Sequence, residues 1–388
     1  MGYREPLLLI DGEQAITVMA DKLTEFIAAA KTSLHIAIYD FRLRDPGIAK
    51  QVVGALVDRA KAGVEVQIAY DHRNAPKFGA GDDPAPKGTH EFVTGNFKGT
   101  GVGFQPVGWE DLKKESIAGS KLMHSKYVIR DGHTENASVL MGSTNFTDDA
   151  WTRQDNNVLI LESGQLSVYY ETDFNELWAN ANIRGTGVND SATISRDGLS
   201  ADIAFSPGEG KRIDTEIVEM IENADDSIHI ASMVITSDDI LDALSRKIED
   251  GRVTVRGIFD GPEMKTSEAQ MKKSARSAIK VKQIEQLRQV FVAKGSTPFK
   301  AEGVHDFMHN KLVVADDVVL TGSHNFSLSA EHNAENAIRI RDGNLADKYR
   351  NYVEKLIKKY SKKGAPEHPM PLGGEIHAAS HSGRRRPR

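Results

Sequence analysis

Cysteine is missing altogether from the 388 residues. Its absence excludes a disulfide framework, a thiolate nucleophile and any Cys-ligated zinc, and it suits a reducing compartment. Long apolar runs are missing as well. The stretch from Leu7 to Ile10 is stopped by Asp11 and is too short for a signal core or a membrane span. Gly2 opens no myristoylation signal, because Pro6 stands where Ser or Thr is needed. No excess of one sign of charge names a partner either: 49 Lys and Arg against 55 Asp and Glu leave a net charge of −6. These absences predict a soluble, cytoplasmic protein with no transmembrane segment. The length is enough for two domains that bury a core without crosslinks or metals.

What is present is a repeat. Met123-His124-Ser125-Lys126 runs on to Asp131 and is followed by Gly142-Ser143-Thr144-Asn145. Met308-His309-Asn310-Lys311 runs on to Asp316 and is followed by Gly322-Ser323-His324-Asn325. Each copy reads H-x-K-x4-D and then G-S-x-N. Side chains alternate along a strand, so His124 and Lys126 share one face and Asp131 takes the other; His309, Lys311 and Asp316 fall the same way. The His and Lys are thus placed for a cleft, and the Asp for supporting the fold.

The duplication extends well beyond the motifs. Ser33-Leu34-His35-Ile36-Ala37 matches Ser227-Ile228-His229-Ile230-Ala231, and Val64 to Asp71 matches Val253 to Asp260. Asp155-Asn156 and Glu335-Asn336 lie at equal distance from Gly142 and Gly322. His35 and His229 sit in apolar strands and read as satisfied core residues.

Helical spacing from about Glu13 to Lys31, a strand from Leu34 to Tyr39, a helix opened by Pro46 and stopped by Gly63, and a strand from Val64 to Tyr70 predict an α/β sheet with crossover connections. Residues 74–108, rich in Gly and Pro, read as a long loop beside the first motif. A strand at Ser138 to Met141, another at Val158 to Leu161 and a helix through Tyr170, Phe174 and Trp178 follow. The expected domains are 1–180 and 213–360, joined by a linker at 181–212 and followed by a disordered basic tail at 361–388. Between Gly261 and Lys300, nine basic residues against three acidic make either a solvated helix face or an anion-binding patch.

Two His, two Lys and two Asn related by a pseudo-twofold axis suit one chemistry above others. One imidazole attacks an electrophile while the other protonates the leaving group, since His titrates near neutrality. The lysines and the amides of Asn145 and Asn325, with Ser143 and Ser323, suit an anion with several equivalent oxygens, that is, a phosphodiester. The lysines supply the charge that a divalent ion would bring, so no metal or other cofactor is expected. A third group should orient each imidazole, and Asp155 and Glu335 are placed for it.

The paired motifs resemble those of the phospholipase D superfamily, in its single-chain branch with two motifs, over roughly Glu13 to Tyr360. The resemblance implies two similar α/β/α domains related by a pseudo-twofold axis, with one active site at their interface. It implies a covalent phosphohistidine on His124 or His309. By family habit the N-terminal motif supplies the nucleophile, which assigns His124 that role and His309 the role of general acid and then base. The chain departs from the pattern in a longer turn between Asp131 and Gly142 and in His324 within the second G-S-x-N. The leading substrate is a phospholipid, with headgroup cleavage, transfer to an alcohol in place of water, and transient contact with a membrane surface. A metal-independent nuclease is the alternative, supported by the basic run and the arginine tail but opposed by the lack of a recognisable base-stacking aromatic cluster. An inactive phosphate-binding scaffold is the third reading.

Overall fold

The computed structural model describes residues 8–73, 88–109, 121–188, 190–196, 199–271, 277–300 and 303–361. Strand β1 (Leu8–Asp11) leads into α1 (Ile16–Ala28), whose Met19, Ala20, Leu23, Phe26 and Ile27 form the buried stripe predicted by their spacing. Then come β2 (Ser33–Ile38), the short β3 (Phe41–Arg42) and α2 (Pro46–Lys61). The α2 N-terminus is fixed by Asp45, whose carboxylate accepts the N–H groups of Gly47 and Ile48, with Pro46 where no donor is needed. The half is completed by β4 (Glu65–Arg73), α3 (Thr89–Phe97), β5 (Gly103–Gly108), β6 (Lys126–Arg130), β7 (Ser138–Gly142), β8 (Phe146–Thr147), α4 (Asp148–Thr152), β9 (Asp155–Glu162) and α5 (Gly164–Asn180).

The second half runs β10 (Ala192–Arg196), β11 (Leu199–Ser206), α6 (Gly210–Glu222), β12 (Ser227–Ser232), α7 (Asp238–Asp250), β13 (Thr254–Asp260), α8 (Gly261–Met271), α9 (Ser277–Val290), β14 (Phe291–Lys294), β15 (Lys311–Ala315), β16 (Val318–Gly322), β17 (Glu335–Arg341) and α10 (Gly343–Ser361). The first sheet has the order β1-β9-β7-β6-β2-β4-β5, and the second repeats it as β11-β17-β16-β15-β12-β13-β14 with β10 added at its edge. In both, the three strands at one end are parallel and the rest antiparallel. Helices α1, α2 and α3 cover one face of the first sheet, and α6, α7 and α9 one face of the second. A single hydrophobic core containing α5 and α10 joins the two inward faces, so neither half closes its core alone.

Two stretches differ from the sequence expectation. The region read as a long loop holds α3 and β5, while residues 74–87 lie outside the described residues. The segment 181–212, read as a linker, contains the hairpin β10–β11, and β11 pairs with β17 as β1 pairs with β9. Its polar composition hid a true strand pattern: Ala201, Ile203 and Phe205 are buried. The basic run forms α8, α9 and β14. Lys280 pairs with Asp238 on α7, and Arg288 pairs with Glu268 on α8. Lys272, Lys273, Arg276 and the tail from residue 362 fall outside the described residues.

The two apolar-strand histidines are core groups, each held through one ring nitrogen. His35 Nδ1 lies 2.7 Å from Glu171 on α5, and His229 Nε2 lies 3.0 Å from Glu354 on α10.

Candidate active site

Each motif reaches the interface as an extended segment that crosses to the other half. The His124 N–H donates to Ala334 O (2.8 Å) and the Ala334 N–H to Leu122 O (2.8 Å). In the opposite sense, the His309 N–H donates to Asp155 O (3.0 Å) and the Asp155 N–H to Phe307 O (3.1 Å). Behind each crossing an Asp near the C-terminal end of a parallel strand, β4 or β13, holds the preceding residue: Asp71 accepts the Met123 N–H (2.8 Å) and Asp260 the Met308 N–H (2.9 Å). These bonds fix both histidines on one seam.

His124 Nδ1 donates to the Glu335 carboxylate at 2.7 Å, and the second Glu335 oxygen accepts from Asn333 Nδ2 at 3.1 Å. This leaves Nε2 with its lone pair directed away from Glu335. The expectation for Asp155 fails. Its carboxylate is bound by Lys294 Nζ (2.6 Å) and by Tyr360 Oη (3.0 Å), not by an imidazole. His309 Nδ1 instead meets Asn156 Oδ1 (3.0 Å) and Ser143 O (3.1 Å). Both neighbours are acceptors, so Nδ1 carries the proton here too.

The reason is a one-residue difference in register. Gly142 pairs with Val158 but Gly322 with Ala337, so Asn156, and not Asp155, stands where Glu335 stands in the other half. Counting from the glycines aligns the wrong residue, because the first half has one more residue before its strand returns.

Lys126 Nζ donates to His124 O (2.6 Å), and Lys311 Nζ to His309 O (2.6 Å). Burial and mutual repulsion weaken all four basic groups. Burial is the main cause in each case, and it pulls His124 down to about 4 and Lys126 down to about 7 despite the nearby Glu335. His309 and Lys311 are pushed well below their ordinary values by burial, then by neighbouring lysine charge. Burial alone would raise Glu335, yet His124 and Lys126 hold it below the usual glutamate value. An incoming phosphate would supply negative charge that favours the protonated forms of these bases.

Asn145 and Asn325 each carry a buried side-chain oxygen without a hydrogen-bond partner. A half-turn of either amide puts a donor there, which an anionic oxygen would satisfy. The serine hydroxyls, expected as donors to the anion, are engaged in the fold. Ser143 Oγ donates to Asn156 Oδ1 (2.8 Å) and accepts the Asn157 N–H, and Ser323 Oγ accepts the Asn336 N–H (2.9 Å). Asp131 accepts the N–H groups of Lys31, Thr32 and Ser33 at the entry to β2, and Asp316 those of Asp225, Asp226 and Ser227 at the entry to β12. Both take the structural place that strand alternation gave them.

Sequence reasoning missed Asn156, Asn333, Asp71, Asp260 and Tyr39. The two aspartates close the stretches that match between the halves, Val64 to Asp71 and Val253 to Asp260, a signal that was available. Tyr39 has no such signal: its ring meets His124 edge-on at 4.8 Å and lies 5.1 Å from Lys126 Nζ, whereas Met233 follows the matching strand of the second half.

A duplicated α/β scaffold with paired histidines and lysines on a shared seam defines a class of phosphoryl-handling proteins. The comparisons make it a family. The family model described as "Cardiolipin synthase, PLD-like domain" matches residues 23–178 and 217–357, and the chain belongs to this phospholipase D family of phosphodiesterases. It is 31% identical over 158 residues to a protein named phospholipase D from Rickettsia prowazekii (strain Madrid E). That match covers 40% of this chain and 66% of the relative, just under two thirds of its length. In fold, the phosphatidylserine synthase of Haemophilus influenzae Rd KW20 superposes with a TM-score of 0.60 at 13% identity, covering 92% of this chain and 87% of that one. Polyphosphate kinase from Porphyromonas gingivalis gives 0.53 at 13% identity, over 90% of this chain and 50% of its own.

Proposed function

We propose that the protein is a phospholipase D-type enzyme that cleaves the headgroup phosphodiester of a phospholipid. A covalent phosphohistidine on His124 is its intermediate, and an alcohol can replace water as acceptor. The observation that carries this reading is the pair of imidazoles whose Nδ1–H groups are both engaged by acceptors, leaving two Nε2 atoms for chemistry beside two buried lysines. In the first step His124 Nε2 attacks phosphorus and His309 gives a proton to the departing oxygen. In the second, His309 takes a proton from water or alcohol, which displaces His124. Lys126, Lys311, Asn145 and Asn325 hold the non-bridging oxygens.

A lipid substrate is supported by the description of the matching family model and the name of the Rickettsia relative. It is supported also by exposed apolar side chains beside the second motif: Phe299 and Val304 before it and Leu328 after it. Among the described residues no helix is long and apolar enough to cross a membrane, so contact with lipid would be made at the surface.

One observation favours the nuclease reading. Phe299, His305 and Phe307 stack at 5.2 and 5.4 Å between successive centroids, an aromatic cluster that the sequence did not reveal, and its outer ring is exposed. Against it, Lys280 and Arg288 of the basic run are paired with acidic side chains.

A parallel assay of phosphatidylcholine vesicles, bis-nitrophenyl phosphate and labelled single-stranded DNA, comparing wild type with His124→Ala, separates the readings. Headgroup release by wild type alone is expected. DNA cleavage without lipid cleavage would replace this reading with the nuclease, and no His124-dependent cleavage of any of them would leave the scaffold.

A further inference from the structure

The two halves back their histidines with different chemistry, and the surroundings enforce the difference. Glu335 has its second oxygen held by a donor, Asn333 Nδ2, whose own orientation is fixed because Asn333 Oδ1 accepts the Leu122 N–H at 3.0 Å. Asn156 has its amide nitrogen held by two acceptors, Ala150 O at 3.1 Å and Gln154 Oε1 at 3.2 Å. Those acceptors admit an N–H and repel a carboxylate, and they force Oδ1 toward His309. One site is thus built for an anion and the other for a neutral amide.

We propose that Asn156 is a positioning residue that keeps His309 a proton carrier, while Glu335 makes His124 the ring that bears the phosphoryl group. This inference rests on the enzymatic reading above. The argument is about how long each ring stays charged. When His124 Nε2 bonds to phosphorus and the leaving oxygen departs with the P–O electron pair and a proton from His309, the His124 ring still holds its Nδ1–H and is cationic. It stays so for the life of the intermediate, and the Glu335 carboxylate is its counter-charge. His309 is cationic only until it gives up its proton. Water then attacks phosphorus, its proton goes to His309 Nε2, and the N–P electron pair returns to His124. A carboxylate behind His309 would hold that proton too firmly for transfer, whereas an amide orients the ring without holding the charge.

The charged and titratable groups facing His309 are Lys311 from its own strand and Lys126 and His124 from the other half. Its neighbouring carboxylates are occupied elsewhere, Asp155 by Lys294 and Asp260 by Ser296 and backbone N–H groups. Asn156 is therefore the place where one substitution adds a negative charge to His309.

The test compares single-turnover phenol release from bis-nitrophenyl phosphate with that from diphenyl phosphate, a diester of similar shape whose leaving group needs a proton more. Asn156→Ala should lose at least about tenfold more on diphenyl phosphate than on the nitrophenyl ester, whereas Glu335→Gln should slow both alike. Asn156→Asp should move the alkaline limb of the rate profile upward by about one pH unit or more. Equal losses on both esters for Asn156→Ala would reduce Asn156 to a structural role and overturn the proposal, as would an unmoved limb in an active Asn156→Asp. Should Asn156→Asp not fold, the leaving-group comparison decides. A wild type inactive on both esters would defeat the enzymatic reading itself, a different result.

Discussion

At the scale of single residues, the site trades stability for a poised cationic pocket. Lys126 and His124 have folded pKa values below their unfolded ones, so the unfolded chain binds more protons. Stability from these groups is fully present above the unfolded values. For Lys126 it falls as pH drops from about 10.5 toward 7, and for His124 as it drops from about 6.5 toward 4. An anion bound between them reverses the shift. Inorganic phosphate binding at pH 8 should therefore be accompanied by proton uptake, read by calorimetry in two buffers of different ionisation enthalpy. Lys126→Met should reduce that uptake, with Lys311 supplying the remainder, while leaving Tm equal to or above the wild type's. Binding without proton uptake would mean that the lysines are already charged in the free protein. The carriers H-x-K and G-S-x-N were legible in the sequence because both copies share them. Of the partners of the imidazoles, Glu335 was legible and Asn156 was not, since each comes from the other half and the second depends on where a strand pair starts.

At the scale of elements, the close packing of β7 on β9 and of β16 on β17 decides which residue faces each histidine. A Cβ on Gly142 would lie 2.1 Å from Asn157 O, and one on Gly322 would lie 2.1 Å from Asn336 O. Neither carbonyl can retreat without carrying the strand with it. Gly142→Ala should displace Asn156 and Gly322→Ala should displace Glu335, each at a stability cost of roughly 1–3 kcal/mol. Thermal unfolding and His124-dependent turnover check this together; an unchanged Tm in either variant would show that the strands tolerate separation. Helix α1 and strand β2 could be read from periodicity to within a few residues. The strand β11 was missed because the Gly, Asn, Ser and Asp around it masked the inward alternation of Ala201, Ile203 and Phe205, and its pairing with β17 holds it extended.

At the scale of the whole molecule, the halves are held by a shared core and by a buried ion pair across the seam, Lys294 to Asp155, with exposures of 5% and 0%. Lys294→Met leaves the Asp155 carboxylate buried without its cation, at a cost of about 3–5 kcal/mol, and Lys294→Met with Asp155→Leu should recover most of it. Chemical denaturation of the single and double variants measures this, and a double variant no better than the single would show that the pair is not coupled. The sequence by itself determined the duplication and the two copies of H-x-K-x4-D and G-S-x-N, because local patterns repeated in order need only one copy's physics to be read twice. Only the tertiary structure decided that Glu335 serves His124, that Asn156 rather than Asp155 serves His309, and that Asp155 ties the halves together. Those choices hang on a one-residue register difference between two strand pairs and on side chains brought from the opposite half, and neither is encoded in any single stretch of chain.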